Sequence, residues 1–505
     1  MDQLLLNEGF PLLSVLIFLP LAGAVVLLFR QGEAFARMWT LAVTALTALF
    51  TLPLLIGFET TTAKYQFAEL HTWIERFHIH YALGVDGISI LLVVLTTFIM
   101  PFCVLASWTY IKERVAPFMF CLLIMETSMI GVFVALDFVL FYIFWEFMLI
   151  PMYLLIAVWG GPRKVYASIK FFLYTLAGSV LLLVAIIALY LKIGSFFIPD
   201  MMWRESSLTF QVLVFLAFFL AFAIKVPMFP FHTWLPAAHV EAPTAGSVIL
   251  ASILLKMGTY GMVRFCLPIT PDATQLLAVP ILWLSIAGII YGGFTALAQQ
   301  DMKKLIAYSS VGHMGFVTLG IFVLNTRGLE GAILQMINHG VTTGALFLCV
   351  GMIYERTHSR DLALATGVGR FMPWYVTFLA FFSLSSFAFP GTNSFIGEFL
   401  VLAGAFQYDT ILALAAIPGA VLAAAYMLRM LQKIVWGGTS NPDHSALVDL
   451  SKREILVLAP FLLFVFWIGL GPQPFIDLMH PSVAQLLDQL QHWQQHHQVA
   501  GLFGR

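Results

Sequence analysis

Apolar runs long enough to cross a lipid bilayer follow one another along almost the whole chain. A membrane-spanning helix needs about 20 mostly apolar residues, and the sequence contains fourteen such segments. The predicted segments are 10–29, 37–57, 84–107, 116–134, 138–158, 167–191, 208–229, 243–265, 276–297, 304–324, 330–353, 372–404, 409–435 and 454–472. Only 10% of the 505 residues are charged, against about 25% in soluble domains. The sequence therefore predicts an all-α polytopic membrane protein and excludes soluble, disordered and disulfide-stapled secreted proteins.

The distribution of basic residues indicates how the chain is oriented. Lys and Arg accumulate in the loops on the inner side of a membrane. With the N-terminus outside, sixteen of the 25 Lys and Arg residues fall in inner loops and seven in outer segments, while Lys225 and Lys256 fall inside spans. We therefore expect a retained first helix rather than a signal peptide, and both termini on the periplasmic side of a bacterial inner membrane; a mitochondrial membrane is the alternative. Over 482–495 we expect an amphipathic helix on the membrane surface.

Two predicted spans contain helix-breaking motifs. The seventh reads KVPMFPFHTWLP and the twelfth reads FPGTNSFIGEF. Proline removes a backbone donor, and the freed carbonyl groups need protein or water partners in lipid. Because paired interrupted helices mark the transport site of inverted-repeat transporters, we expect two inverted five-helix repeats, spans 4–8 and 9–13; chance placement of proline and glycine is the alternative. The predicted domains are 1–110, 111–268, 269–437 and 438–505.

Charged side chains lie within several predicted spans, where they are costly. Placing Asp, Lys or Arg at the centre of a membrane helix costs about 2.5–3.5 kcal/mol, which makes such residues candidates for an ion path. The candidates for proton translocation are Glu146, Lys225, Lys256 and Glu398, with Glu126 as a further one. A nearby carboxylate favours the charged form of a buried amine, so Glu146 and Lys225 could form a proton switch. Structural salt bridges between helices are the alternative.

Four histidines are candidate polar links. His313 and His339 lie in the tenth and eleventh spans and titrate near the working pH, so they could relay protons between Lys256 and Glu398. Hydrogen-bonded core residues and ligands of a b-type haem are the alternatives for this pair. His232 and His239 lie between the seventh and eighth spans, where they could gate proton uptake or cap helices.

The sequence lacks the motifs that hold redox or nucleotide cofactors. It contains no phosphate-cradling glycine loop and no dinucleotide fingerprint, and its four cysteines form no CxxC pair. We therefore expect no flavin, iron–sulfur cluster, nucleotide or metal in this chain. Energy for transport then has to come from another ion gradient or from a partner that performs the chemistry.

Four stretches carry a resemblance to a known family, and they read FWEFMLIPMYLLIAVWGG, KVPMFPFHTWLPAAHVEAPTAGSVILASILLKMGTYG, YSSVGHMGF and FPGTNSFIGEFL. They resemble the proton-pumping, antiporter-like subunits of respiratory complex I. The resemblance implies that Glu146, Lys225, Lys256 and Glu398 form the proton-carrying axis, with His313 and His339 as polar links. Ala237 is a departure, since many relatives have Asp at this position of the loop motif.

The resemblance also implies partners and an energy source. NADH, FMN, iron–sulfur clusters and quinone are expected in partner subunits, whose redox chemistry drives translocation through this chain. The expected partners are other membrane subunits of complex I, especially the antiporter-like L and N types. Two features distinguish this sequence from those types: Glu398 and the absence of a long lateral helix. The alternatives are a Mrp-type cation/proton antiporter, a membrane-bound hydrogenase subunit, and a structural scaffold of the membrane arm.

Overall fold

Helices make up most of the chain in the computed structural model, which describes residues 4–6, 9–30, 32–362, 366–437 and 447–496. The α-helices are α1 Leu12–Phe29, α2 Glu33–Ile56, α3 Ile90–Ala106, α4 Val115–Val134, α5 Phe138–Phe147, α6 Leu149–Trp159, α7 Lys164–Ile193, α8 Ile198–Met201, α9 Leu208–Lys225, α10 Trp234–Glu241, α11 Thr244–Ile249, α12 Leu255–Gly261, α13 Leu267–Ile269, α14 Pro271–Leu297, α15 Met302–Phe322, α16 Thr326–Thr357, α17 Pro373–Ser386, α18 Asn393–Tyr408, α19 Thr410–Ala416, α20 Pro418–Trp436, α21 Lys452–Leu470 and α22 Gln473–His496. Two π-helical segments, Leu250–Leu254 and Met262–Cys266, flank α12.

The helices account for every predicted membrane segment. Twelve helical stretches of the described residues are long and apolar enough to cross a membrane. The shorter α3 and the pair α17 and α18 coincide with the third and twelfth predicted segments. The prediction of an all-α polytopic membrane protein is therefore confirmed. The number of fourteen crossings, the inverted repeats and the domain boundaries stay predictions.

Four helical stretches form the centre of the molecule. Nearly all residues are buried in the apolar stretches of Thr244–Ile269, α4, α15 and α16. Fewer than half of the residues are buried in the apolar stretches of five outer helices, α1, α2, α7, α20 and α21. An apolar helix that is exposed on one side faces lipid in a membrane protein. The charged and polar side chains of the central stretches are thus shielded from lipid by the outer helices, and they need partners within the protein.

A β-hairpin precedes the third membrane segment. Strand β2 (Tyr65–Ile74) pairs antiparallel with β3 (Ile79–Val85), and β1 (Leu4–Leu6) pairs parallel with β2. The predicted start of this segment at residue 84 is wrong, because residues 79–85 form a strand and α3 begins only at Ile90. An apolar run of this length does not distinguish a strand from the first turns of a helix.

The hairpin is joined to the first membrane helix by a carboxylate. Glu69 of β2 accepts hydrogen bonds from the backbone N–H groups of Leu13 at 2.9 Å and Ser14 at 3.1 Å. A negative charge at a helix N-terminus satisfies donors that have no partner within the helix and complements the helix dipole. The Ser14 hydroxyl also contacts Tyr81 of β3 at 2.6 Å, and burial raises the pKa of Tyr81 to about 12.

The C-terminal amphipathic helix is longer than predicted and packs on the protein. The predicted segment 482–495 is helical, but α22 begins at Gln473. Its apolar residues join the main core, while Ser482 accepts from the Gly87 N–H at 3.0 Å and the Trp493 indole donates to Asp272 at 2.7 Å. The apolar face of α22 therefore packs on protein, and the position of the helix relative to the membrane surface stays a prediction.

Close packing of α14 on α15 leads to a stability prediction. A Cβ added at Gly292 would lie 2.7 Å from the Gly312 backbone nitrogen, whereas one added at Gly312 would meet nothing closer than 3.5 Å. Both alanine substitutions gain the same helix propensity, but only Gly292→Ala forces the helices apart, at a cost of about 1–3 kcal/mol. We expect Gly292→Ala to lower the melting temperature in detergent relative to Gly312→Ala. Equal melting temperatures would contradict the tight contact.

Candidate functional site

The first interrupted span ends its regular helix at Lys225. Residues 226–233 lie outside regular helix, between α9 and α10. The carbonyl group of Ile224 accepts a hydrogen bond from the Trp234 indole at 2.7 Å, and the carbonyl of Ala223 accepts from the Met228 N–H at 2.8 Å. Protein groups thus satisfy the carbonyls released by the break, as a membrane interior requires, and the break places the Lys225 amine at a helix end inside the bundle.

Lys225 is buried beside the helix that carries Glu146. Its side chain is 1% exposed, with Nζ 3.7 Å from the Met148 sulfur and 5.0 Å from the centre of a Trp145 ring. In the sequence Glu146 lies between these two neighbours and one helical turn after Tyr142, and it acts electrostatically on both Tyr142 and Lys225. No ion pair within 4.0 Å joins the two described side chains, so the acid and the amine interact across a gap.

A helix break beside Glu146 is absent from the sequence prediction. α5 ends at Phe147 and α6 starts at Leu149, so Glu146 lies next to a junction inside the fifth span. The signal for it is Pro151, which has no N–H to bond the carbonyl of Phe147 four residues earlier. The fifth and seventh spans are therefore both interrupted beside their charged residue.

Lys256 contacts a histidine on a neighbouring helix. The residue is fully buried in α12, between the two π-helical segments, and such local widening is frequent at functional sites. Its Nζ donates to the carbonyl of Ala251 and lies 2.6 Å from Nδ1 of His339 on α16. The structure thus joins two of the predicted residues by a direct hydrogen bond.

Glu398 contacts the second intramembrane histidine. Nδ1 of His313 on α15 lies 3.0 Å from a carboxylate oxygen of Glu398 on α18, and the Gln335 amide donates to the same oxygen at 3.1 Å. The rings of His313 and His339 are 5.7 Å apart between centroids. Lys256, His339, His313 and Glu398 therefore form one row of titratable groups contributed by four helices.

Polar side chains of α16 that the sequence analysis did not single out support this row. Asn338 donates to the carbonyl of Asn393 at 2.8 Å, next to the second helix break. Thr342 contacts the Ser385 hydroxyl at 2.7 Å. One face of α16 carries a polar stripe at helical spacing, formed by Gln335, Asn338, His339 and Thr342. This stripe is the feature of the sequence that could have identified these supporting residues.

Besides Glu146 and Lys225, three of the predicted residues do not join the row directly. Glu126 on α4 is fully buried, and neither of its carboxylate oxygens has a hydrogen-bond partner within the part of the chain that the structure describes. His232 packs with its ring centroid 4.9 Å from that of Tyr291, and His239 stacks on Phe347 at 4.5 Å. Glu126 thus lies apart from the row.

Comparisons with known proteins match nearly the whole chain to membrane subunits of NADH:quinone oxidoreductases. The family described as "NADH:quinone oxidoreductase/Mrp antiporter, TM" matches residues 135–423, and "NADH-ubiquinone oxidoreductase chain 4, amino terminus" matches residues 16–132. NADH-quinone oxidoreductase subunit M of Rhodobacter capsulatus is 47% identical over 495 residues, covering 94% of this chain and 96% of the relative. NADH-ubiquinone oxidoreductase chain 4 of Marchantia polymorpha is 44% identical over 478 residues, with coverages of 94% and 97%.

Solved structures share the fold. A chain of "Respiratory complex I from Thermus thermophilus with bound NADH" matches with a TM-score of 0.87 and 29% identity, covering 95% of this chain and 99% of that one. A chain of the Mrp complex from Dietzia matches with a TM-score of 0.80 and 18% identity, covering 98% of this chain and 57% of that one. At 18% identity, the Mrp match shows the fold alone.

Proposed function

The chain belongs to the family of NADH-quinone oxidoreductase subunit M and NADH-ubiquinone oxidoreductase chain 4, antiporter-like proton-translocating membrane subunits of complex I, and from this premise we propose which side chains carry the protons. The proposed axis consists of Glu146, Lys225, Lys256, His339, His313 and Glu398. The observation that carries the proposal is the row of contacts from Lys256 to Glu398, with separations of 2.6 Å, 5.7 Å between ring centroids, and 3.0 Å.

The contact between Lys256 and His339 lets the two groups share one proton. Two positive charges 2.6 Å apart repel by roughly 6 kcal/mol at an effective dielectric constant of about 20. A hydrogen bond at this distance needs one donor and one acceptor, so only one of the two nitrogens carries the extra proton at a time. A proton that arrives on the lysine is thus passed to the histidine at little cost in charge separation.

The second half of the row passes the proton to a carboxylate. His313 contacts Glu398 through Nδ1, and its Nε2 lies 3.3 Å from the Ser386 hydroxyl. The two imidazole rings lie edge to face with their centroids 5.7 Å apart, and in our proposal the proton crosses from one ring to the other over this short separation. Gln335 donates to the same carboxylate oxygen and thus holds the carboxylate in place for the transfer.

Glu146 and Lys225 act as the switch that links proton transfer to the rest of the complex. An acid and an amine about 7 Å apart attract by roughly 2.4 kcal/mol at an effective dielectric constant of about 20. Moving the acid away removes this attraction and releases the proton from the amine. The helix junction at Met148 and the helix end at Lys225 are the places where a small movement changes that distance.

The relatives favour a complex I subunit over an independent antiporter. Relatives named as complex I subunits match along almost their whole length at 42–47% identity, whereas the Mrp likeness is a likeness of fold. In our proposal NADH, FMN, iron–sulfur clusters and quinone bind in partner subunits, and the antiporter-like L and N types are the membrane neighbours. Nδ1 of His339 contacts Lys256, and Nδ1 of His313 contacts Glu398. In our proposal both histidines therefore transfer protons and do not bind a haem.

The proposed orientation follows the basic loops. Arg163, Lys303 and Arg360 lie in or beside loops that the positive-inside rule assigns to the cytoplasmic face of a bacterial inner membrane. Both termini then lie on the periplasmic side. Protons are taken up at the face with the basic loops and released at the other face.

Replacing Glu398 by glutamine tests the axis. An amide cannot bind and release a proton, and general acid–base groups contribute about 10²–10⁴-fold, so we expect NADH-driven proton pumping in membrane vesicles to fall by at least about tenfold. Glu330→Gln is the matched control, because Glu330 also contacts a histidine, His480 at 2.6 Å, but outside the row. Pumping by Glu398→Gln at the rate of Glu330→Gln would contradict the proposal.

A further inference from the structure

An apolar groove of about 630 Å³ opens on the outside of the helix bundle, toward the end that carries α22. Helix α3 forms its floor, α2 forms one wall, and α21 with the first turns of α22 forms the other. None of the described residues that line the groove is charged. The Thr51 and Thr97 hydroxyl groups in its lining bond to each other at 3.0 Å, so an occupant meets an almost wholly apolar surface.

One side of the groove is a continuous row of five aromatic rings. From the α22 end inward, the row consists of Phe475, Trp467, Phe464, Phe98 and Phe102, and all five line the groove. The centroids of successive rings are 5.2, 5.6, 4.8 and 5.1 Å apart. Contacts between rings at such distances are favourable, so the row gives the groove a fixed shape.

The groove has the depth of one leaflet of the bilayer. Its lining on α2 extends from Ala45, in the middle of this helix, to Leu55, next to its end. Ten residues of helix are about 15 Å long, which is half of a hydrocarbon core of about 30 Å. On α21 the lining ends at Trp467, three residues before the end of the helix, and Trp is enriched at the level of the lipid head groups. The groove therefore extends from that level to about the middle of the bilayer.

The groove is continuous with the lipid-facing surface and is too small for another helix. Leu49 and Leu52 line it and are exposed on α2, which is one of the outer helices. A helix about 10 Å wide and about 15 Å long occupies roughly 1,200 Å³, nearly twice the volume of the groove. A polar ligand needs a few precisely placed polar groups to orient it, and the two hydroxyl groups of the lining already bond to each other.

We propose that this groove binds one acyl chain of a phospholipid from the leaflet on the side of α22, and that the chain stays bound when the complex is extracted from the membrane. In the proposed orientation this leaflet is the outer one. The head group then lies at the α22 end of the groove, near Trp467, and the chain follows the aromatic row toward Phe102. The inference does not depend on the proton-carrying axis, since no residue of the axis lines the groove.

Close packing distinguishes this chain from the lipid that surrounds the protein. Lipid chains are as apolar as the side chains, so binding within a bilayer depends on van der Waals packing rather than on the hydrophobic effect. Single contacts are weak, but they add up when many atoms touch. A chain in the groove contacts α2, α3 and α21, whereas a chain on the outer face of α2 contacts one helix. The bound chain thus completes the packing between α2 and α21.

The test places the photoreactive residue p-benzoylphenylalanine at Phe102, at the inner end of the groove, or at Leu46, which is exposed on α2 outside the groove. Each complex is purified in mild detergent, washed and irradiated, and the adducts are identified by mass spectrometry. Surrounding lipid exchanges with detergent, whereas the bound chain remains. We expect at least about tenfold more phospholipid adduct per complex at position 102 than at position 46, which corresponds to about 1.4 kcal/mol. Equal yields, or an adduct at position 102 with a partner polypeptide or a quinone, would overturn the proposal.

Two alanines of α2 provide matched variants. Ala48 lines the groove, and Ala42 is exposed outside it. With the photoreactive residue at position 102, Ala48→Phe fills the groove and should lower the phospholipid adduct by about tenfold, again about 1.4 kcal/mol. Ala42→Phe adds the same ring toward lipid and should leave the adduct unchanged. Equal yields in the two variants would show that the chain binds elsewhere. The comparison of positions 102 and 46 needs no filled groove, so it decides the matter even where Ala48→Phe does not assemble.

Discussion

Replacing Lys256 by methionine is expected to stop proton pumping while the complex still assembles. Methionine fills a similar volume, and volume-conserving substitutions in a core cost little stability. It removes the amine that contacts His339 at 2.6 Å, and with it the group that passes the proton on. Because general acid–base groups contribute about 10²–10⁴-fold, we expect pumping to fall by about 100-fold, measured as NADH-driven acidification of membrane vesicles.

A second substitution on the same helix serves as the control. Thr259 is buried one turn from Lys256, and its hydroxyl donates to the Lys256 carbonyl at 3.1 Å. Thr259→Val keeps the shape of the side chain and leaves the row intact, so it should pump at close to the normal rate. Assembled Lys256→Met complex with normal pumping would exclude the axis. Loss of assembly in Lys256→Met, with assembly intact in Thr259→Val, would favour the structural scaffold.

The membrane fold and the charged candidates could be predicted because both depend on local properties of the sequence. Hydropathy over about 20 residues identifies a spanning helix, and the cost of a charge in such a helix identifies Lys256 or Glu398 without any knowledge of neighbours. A relay between these two residues through His313 and His339 was also predicted from the sequence. The structure brings the four side chains into one row, although they come from four different helices.

Contacts between helices could not be predicted, since they depend on the rotation and depth of each helix in the bundle. Lys256 and His339 are 83 residues apart, and His313 and Glu398 are 85 apart. Nothing in a single sequence relates the rotation of α12 to that of α16. For the same reason the sequence did not show that the Glu126 carboxylate has no hydrogen-bond partner among the described residues, whereas Glu146 acts electrostatically on Lys225.

Breaks within membrane helices were predicted only where several helix-breaking residues lie close together. Pro227 and Pro230 in one span, and Pro390 with Gly391 in another, are dense enough to end a helix. The junction at Met148 depends on Pro151 alone, and proline is frequent in membrane helices that remain continuous. The π-helical segments beside Lys256 have no proline at all and follow from packing, so hydropathy and breaker residues do not reveal them.

Replacing Glu146 by glutamine is expected to uncouple the switch at Lys225. Glutamine keeps the size of the side chain but carries no charge. The electrostatic attraction of Glu146 for Lys225 is lost, so the amine no longer changes its proton affinity when the helices move. We expect proton pumping and coupled NADH oxidation to fall by at least about tenfold in assembled complex.

The matched control for this residue keeps the charge and removes its neighbour. Tyr142→Phe deletes a hydroxyl one helical turn from Glu146 and leaves the carboxylate in place, so pumping should fall by no more than about twofold. If Glu146→Gln pumps as well as Tyr142→Phe, the charge of Glu146 has no part in translocation, and the switch has to be sought elsewhere. If both variants fail equally, the Tyr142 hydroxyl rather than the charge of Glu146 matters, because Tyr142→Phe changes only that hydroxyl. A loss confined to Glu146→Gln is the result that only a charge switch explains.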